Sequence, residues 1–370
     1  MKIPLVDLRA QYHTLRPDIQ EAVTEVIESM AFIGGPAVSQ FERAFADYCQ
    51  TSSAVGCSSG TTALHLAFMG LGIKPGDEVI VPSHTFIATA EMLPLLGAKV
   101  RFAEIDETTY NIDPNSVREL INERTRLVVA VHLYGQPADM DSLRAICDEH
   151  DIMLMEDAAQ AHGALYKGRR VGGLATPAAF SFYPGKNLGA YGDAGIVTAA
   201  SEEMATQMSN LANHGRRDKY LHNEEGFNYR MDTIQAAVLL VKLRHLDKWN
   251  EARRHWASRY TEKLAAVEEV ITPRVSPDVE PVFHLYVIRV PRRDAVLAEL
   301  HQAGIGAGIH YPVPLHLQPA YRHIGMQKGD LPITERVASE IISLPMFAEL
   351  DEEKVDKVVE ALKAAIQRTS

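Results

Sequence analysis

Cysteine is scarce: Cys49, Cys57 and Cys147 are the only three in 370 residues. They are odd in number, widely spaced and without a C-x-x-C pair, so neither a disulfide framework nor a zinc site is suggested, and a reducing cytoplasm fits best. Long apolar runs are also missing. No stretch approaches the roughly 18 uninterrupted apolar residues that span a bilayer, and the opening MKIPLVDLRAQYHTL lacks the apolar core of a signal peptide. No membrane partner is expected. Positive charge is in deficit, with Lys+Arg 37 against Asp+Glu 48 and a net charge of −11. That balance argues against nucleic acid and leaves room for a local basic pocket taking an anionic small molecule. The usual glycine loops for nucleotides are absent. A Walker A loop ending at Gly185-Lys186 would need glycine where Phe180 stands, and a dinucleotide fingerprint from Gly304 and Gly306 would need one at Ile309.

What is present is an ordinary globular composition, 46% hydrophobic and 23% charged, on a chain long enough for two or three domains. From about Ser53 to Ala200, short apolar runs bounded by turn residues alternate with amphipathic stretches, the pattern of βαβ units on a largely parallel sheet. Each run ends in polar or glycine-rich sequence, where α/β sheets place their sites. After NHGRRDKYLHNEEGFNYR, the segment from Asp232, a plausible N-cap, to Val267 reads as one long amphipathic helix. The domain boundary is expected inside it, giving a large α/β domain over 1–247 and a smaller α+β domain over 248–370.

Three features carry chemistry. Ser58-Ser59-Gly60-Thr61-Thr62 lies where a strand hands over to a helix, and fits a phosphate cup and a plain helix cap equally. Asp157 follows the apolar run IMLM at a strand's C-terminal end; buried there, it needs a cation or a donor, and taken alone it could equally cap the next turn. Lys186 follows AAFSFYPG, and its apolar and aromatic surroundings would lower an amine's pKa and make it nucleophilic, although a lysine taken alone is more often simply solvated. Together the three are the parts that hold pyridoxal phosphate: anchor, pyridinium partner and Schiff-base lysine.

The ordered motifs PLVDLRAQY, SGTTALHLA, PSHTFIATAE, EDAAQAHGA, SFYPGKNLGAYGDAG, GFNYRMDTIQAA, HYPVPLHLQPAY and SLPMF cover essentially the whole chain. In these the sequence resembles the DegT-type sugar aminotransferases of the fold-type I pyridoxal phosphate enzymes. The resemblance implies a three-layer α/β sandwich. It also implies that Gly60, Thr61 and Ser181 hold the cofactor phosphate, Phe86 stacks on the pyridine ring, Asp157 pairs with the ring nitrogen, Gln160 contacts the ring hydroxyl and Lys186 forms the Schiff base. Asn228 would reach the phosphate of a neighbouring subunit's cofactor, which implies a homodimer. L-glutamate is the implied amino donor and a nucleotide-linked keto sugar the acceptor, in an amino-sugar pathway for polysaccharide or secondary metabolites.

Tyr183, Arg216, Arg217, Lys219, Tyr220 and Arg230 are candidates to clamp a diphosphate and stack on a base, or form a solvated charged surface. His310, Tyr311, His316 and Gln318 are candidates for the sugar pocket; the two histidines do not form a compact zinc set, so no metal is expected. His162 reads as a packed structural histidine rather than a second base. SFYPGKNLGAYGDAG and HYPVPLHLQPAY look most like members that aminate carbon 3 of a keto hexose. GFNYR departs from that group, because Tyr229 stands where serine is common and Asn-Tyr-Arg occurs in carbon 4 enzymes. A cyclitol aminotransferase and a noncatalytic sensor or partner protein on the same fold are the remaining rivals.

Overall fold

The computed structural model describes residues 2–369. Among these residues twelve strands follow one another. β1 (Ser53–Cys57), β2 (Glu78–Pro82), β3 (Lys99–Ala103), β4 (Thr125–Val131), β5 (Met153–Asp157), β8 (Ala178–Ser181) and β9 (Gly195–Ala199) build the main sheet. β6 (Leu165–Tyr166), β7 (Arg169–Arg170) and β10 (Val279–Glu280) form a small ribbon, and β11 (Tyr286–Arg289) pairs with β12 (Ile341–Leu344). The main sheet runs in the order β1-β9-β8-β5-β4-β2-β3.

Its strands are apolar on both sides because both faces are covered. Val79 and Val81 of β2, with Leu127 and Val129 of β4, belong to one core cluster, whereas Ile80, Val128 and Ala130 belong to the other. That alternation is the two-residue period of a strand. A one-residue slip would exchange the two sets, so the register is strongly specified. The sheet is largely parallel, as expected, with one exception. β9 runs antiparallel to both β1 and β8, so six strands point one way and one points back.

The long helix expected from Asp232 is two helices, Thr233–Leu243 and Leu246–Leu264, with the break at Arg244-His245. Asp232 occupies the N-cap position but its side chain makes no capping hydrogen bond. The first helix buries Ala236 and Leu239 in the large core; the second buries Ala257, Tyr260 and Leu264 in a separate core with β11 and β12. The break lets the far end of the second helix reach the C-terminal core, while its start, Leu246 and Trp249, still packs with the first helix.

Two segments cross the expected division at residue 247. Ile3 packs in the C-terminal core and exchanges backbone hydrogen bonds with Gly304 and Gly306, while Leu315, Tyr321, Leu331 and Val337 pack with Val79 and Val81 against the main sheet. The last helix, Glu352–Thr369, closes the small unit with Val355, Val358, Val359 and Leu362 inward. Among the described residues no helix is long and apolar enough to cross a membrane.

Candidate active site

The six co-directional strands end at one edge of the sheet, and their carboxyl ends deliver the polar residues. β1 leads into Ser58–Thr61, β2 into Ser83–Thr89, and β4 into His132–Tyr134; β5 ends on Asp157, and β8 ends on Ser181 just before Lys186. This is the edge at which open α/β sheets bind ligands.

The helix Gly60–Gly70 starts with a full capping box: Ser59 Oγ accepts from the Thr62 amide at 3.1 Å, and the Thr62 hydroxyl accepts from the Ser59 amide at 2.9 Å. The box satisfies the Thr62 amide and leaves those of Gly60 and Thr61 without an intrahelical partner, a ready anion site. Gly60 lies so close to β8 that a Cβ on it would fall 2.5 Å from Ser181 Cβ. Helix start and strand end therefore form one cradle that only glycine allows. The Thr61 hydroxyl is bonded to Glu91, whose carboxyl is pushed up by burial.

Asp157 is buried and forms no ion pair among the described residues; its Oδ2 accepts from Thr89 Oγ1 at 2.7 Å and its Oδ1 from the Ala159 amide at 3.2 Å. Burial raises its pKa, against those two bonds and the Lys186 charge. Lys186 is half-buried, and desolvation lowers its amine to about 8, opposed by Asp157. A buried carboxylate without an ion pair, a desolvated amine and an open pair of helix amides are the donor set that a phosphorylated pyridinium aldehyde requires, so the residues present fit pyridoxal phosphate.

Gln160 belongs to the same edge: its Oε1 accepts from the Tyr134 amide at 2.7 Å and its Nε2 donates to the Tyr311 hydroxyl at 3.2 Å. Phe86 is half exposed and stands against Tyr311, ring centroids 5.6 Å apart. His310 comes with Tyr311, its Nδ1 2.8 Å from Ser343 Oγ; burial and the Lys186 charge lower it to about 4. His162 is fully buried between Phe180 and Phe182, and burial lowers it to about 3.

His316 requires a correction. Its ring is buried, with Nδ1 2.7 Å from Ser83 Oγ and Nε2 3.1 Å from Glu335, so it pins its loop to the sheet and has no free nitrogen for a sugar. Gln318 donates to its own loop at the Val313 carbonyl. In the charged loop, Arg217, Lys219 and Tyr220 are exposed on an excursion that leaves at Asn213 and returns at Asn228, which is also exposed. Tyr183 is exposed beside Ser181. Arg230 holds Asn213 Oδ1 at 2.9 Å, while its buried Nε has no partner. Tyr229 turns to His65 at 3.2 Å and stacks on Phe227.

Sequence reasoning missed Thr89 and Tyr134. Thr85 and Thr89 share a helix-like spacing that pairs their hydroxyls at 2.9 Å, but nothing local points to Asp157 as their target.

Comparison with known proteins gives one consistent picture. The family model described as the DegT/DnrJ/EryC1/StrS aminotransferase family matches residues 13–363. A dTDP-3-amino-3,4,6-trideoxy-alpha-D-glucose transaminase of Streptomyces venezuelae is 45% identical over 99% of this chain and 97% of its own. The crystal structure of S. venezuelae DesV with a ketimine intermediate superposes with a TM-score of 0.97 at 45% identity, covering all of both chains. NtdA of Bacillus subtilis with bound cofactor PMP gives a TM-score of 0.87 at 32% identity, over 95% of this chain and 82% of that one.

Proposed function

The chain belongs to the DegT/DnrJ/EryC1/StrS aminotransferase family, and from that premise we propose that it transfers the amino group of L-glutamate to a nucleotide-linked 3-keto hexose. The observation that carries the chemistry is the meeting of a desolvated Lys186 amine, a buried Asp157 without an ion pair and the Gly60–Ser181 cradle at one sheet edge. The enzyme is a pyridoxal phosphate-dependent aminotransferase. Bound at this edge, the cofactor supplies an electron sink for the negative charge left when the donor loses its α-proton.

The chain's own residues do the rest. The Gly60 and Thr61 amides, with Ser181, would hold the phosphate at the helix N-terminus. Asp157, aligned by Thr89, would keep a proton on the ring nitrogen, because a carboxylate nearby favours the charged form. With its pKa near 8, Lys186 Nζ is partly neutral at physiological pH, so it can take the α-proton and return it as general base and then acid. Donor and acceptor use the site in turn, so the kinetics are ping-pong.

The finer assignments follow the same reading. Tyr183, Arg217, Tyr220 and Arg230 would meet the nucleotide diphosphate, His310 and Tyr311 the sugar, and Asn228 the cofactor phosphate of a second copy in a homodimer. The exposure of Asn228 supports that last role. Carbon 3 is favoured by the 3-amino product in the name of the S. venezuelae relative. Three free, buried cysteines support a reducing cytoplasm.

The test is turnover with L-glutamate on 3-keto and 4-keto nucleotide sugars and on a cyclitol ketone, for the wild type and for Arg217→Glu combined with Lys219→Glu. A nucleotide sugar is expected to be the acceptor, with its kcat/KM at least about tenfold lower in the charge-reversed variant. Turnover of the cyclitol alone, indifferent to the substitutions, would overturn the acceptor class.

A further inference from the structure

A hydrogen-bonded circuit joins the carboxyl edge of the main sheet to the loop His310-Tyr311 of the C-terminal part. Tyr134, just beyond β4, donates its amide to Gln160 Oε1 at 2.7 Å, and Gln160 Nε2 donates to the Tyr311 hydroxyl at 3.2 Å. The chain then runs back to His310, whose carbonyl accepts the Tyr134 hydroxyl and closes the ring.

The direction of every proton follows from chemistry. A carbonyl only accepts, so the single phenolic proton of Tyr134 is committed to His310. His84 Nε2, 2.7 Å from the same phenol oxygen, must therefore be the donor to it. That leaves His84 Nδ1 bare, and this atom is indeed buried without a partner. Burial also lowers His84 to about 4, so the ring stays neutral. The Gln160 amide is fixed likewise, since the Tyr134 N–H requires its oxygen.

Tyr134 adopts φ 58°, a left-handed conformation that a side-chain-bearing residue rarely takes, and it is buried. Both its backbone and its phenol are bonded to groups of the site, 26 and 176 residues away in the chain. At the far side of the circuit, the Tyr311 hydroxyl accepts from Gln160 and has no acceptor for its own proton among the described residues. Burial and the Asp157 charge push its pKa up, which keeps that proton in place.

We propose that Tyr134 is a positioning residue that locks the loop 310–311 across the site, so that Tyr311 offers its phenolic proton to an oxygen of the keto sugar. This rests on the sugar-pocket reading given above. Tyr134→Phe removes the clasp on His310 but keeps the backbone bond to Gln160, and His310 retains its separate bond to Ser343.

The experiment compares wild type, Tyr134→Phe, Tyr311→Phe and the double variant, each loaded with pyridoxal phosphate. Amide hydrogen exchange of the segment 306–318, read by mass spectrometry, is expected to quicken about tenfold in Tyr134→Phe, the effect of losing one buried hydrogen bond, and about twofold or less in Tyr311→Phe. In acceptor kcat/KM, Tyr134→Phe alone is expected to lose about tenfold, while adding it to Tyr311→Phe costs no more than about twofold, because the two act as one unit. Unchanged exchange in Tyr134→Phe overturns the proposal, and so do losses that multiply in the double variant. Hydrogen exchange needs no sugar, so a failure of the acceptor assignment stays distinguishable from a failure of the clasp.

Discussion

Thr89→Val exchanges a hydroxyl for a methyl of nearly the same size at a position only 1% exposed, so it removes the hydroxyl's two hydrogen bonds with little change of volume. An ionised carboxylate only accepts, so Thr89 Oγ1 donates to Asp157 Oδ2 at 2.7 Å and itself receives the Thr85 hydroxyl at 2.9 Å. The substitution leaves Asp157 with one bond, from the Ala159 amide at 3.2 Å. A hydrogen bond to a buried charge contributes about 1.5–3 kcal/mol, and about 1.4 kcal/mol corresponds to one pKa unit. Asp157, already raised by burial, should therefore rise by a further 1–2 units or so. Only the ionised carboxylate favours a proton on the cofactor's ring nitrogen, so tight retention holds above the Asp157 pKa and fades as pH falls through it. Raising that pKa moves the loss to higher pH. Titrating cofactor-free protein with pyridoxal phosphate by absorbance, from about pH 5 to 8.5, should show the acid limb of affinity displaced upward by about 1–2 pH units in Thr89→Val and restored in Thr89→Ser. A Thr89→Val curve superimposable on the wild type would refute the assigned role of this hydroxyl.

Gly60→Ala would set a Cβ 2.5 Å from Ser181 Cβ and 3.1 Å from its Cα, where carbon contacts prefer about 3.5–4.0 Å. The cradle must open by roughly 1 Å, so affinity for pyridoxal phosphate should fall by at least about tenfold. Overpacking of about 1–3 kcal/mol is partly offset by a helix-propensity gain of about 1 kcal/mol, so melting of the cofactor-free variant should drop only modestly; unchanged cofactor affinity would reject the cradle. Reductive methylation of cofactor-free protein with limiting formaldehyde, followed by mass spectrometry, should show Lys186 reactivity rising with a midpoint near pH 8. Surface lysines should continue to gain reactivity toward their ordinary value of about 10.4. The folded state releases the Lys186 proton earlier than the unfolded chain, so this group adds stability as pH rises from about 8 toward 10.4. A Lys186 midpoint indistinguishable from the surface lysines would contradict its desolvation.

The main strands were legible because each is a short apolar run closed by polar residues, as in IMLM before Asp157 or AAF before Ser181. Their direction was not: GIVTA carries no mark that β9 alone is reversed. The break at Arg244-His245 was hidden because the apolar spacing continues through it, although only the second helix reaches the C-terminal core. The polar ends of β1, β5 and β8 named a site, since motif and strand end coincide there. Thr89 and Tyr134 stayed invisible because their partners, Asp157 and His310, lie 68 and 176 residues away. His316 shows the opposite failure. A histidine in a proline-rich loop looks available, and only packing reveals that Ser83 and Glu335 occupy both nitrogens.

The central claim is that Lys186 and Asp157 carry amino transfer on pyridoxal phosphate. The most direct measurement is the visible spectrum of the cofactor-loaded protein before and after L-glutamate, with 2-oxoglutarate assayed alongside, in the wild type and in Lys186→Ala. The wild type should show a visible band that gives way to shorter-wavelength absorption as about one equivalent of 2-oxoglutarate per site appears, and Lys186→Ala should release none. A wild type that stays colourless with added pyridoxal phosphate, or a Lys186→Ala variant that turns over repeatedly, would contradict the claim.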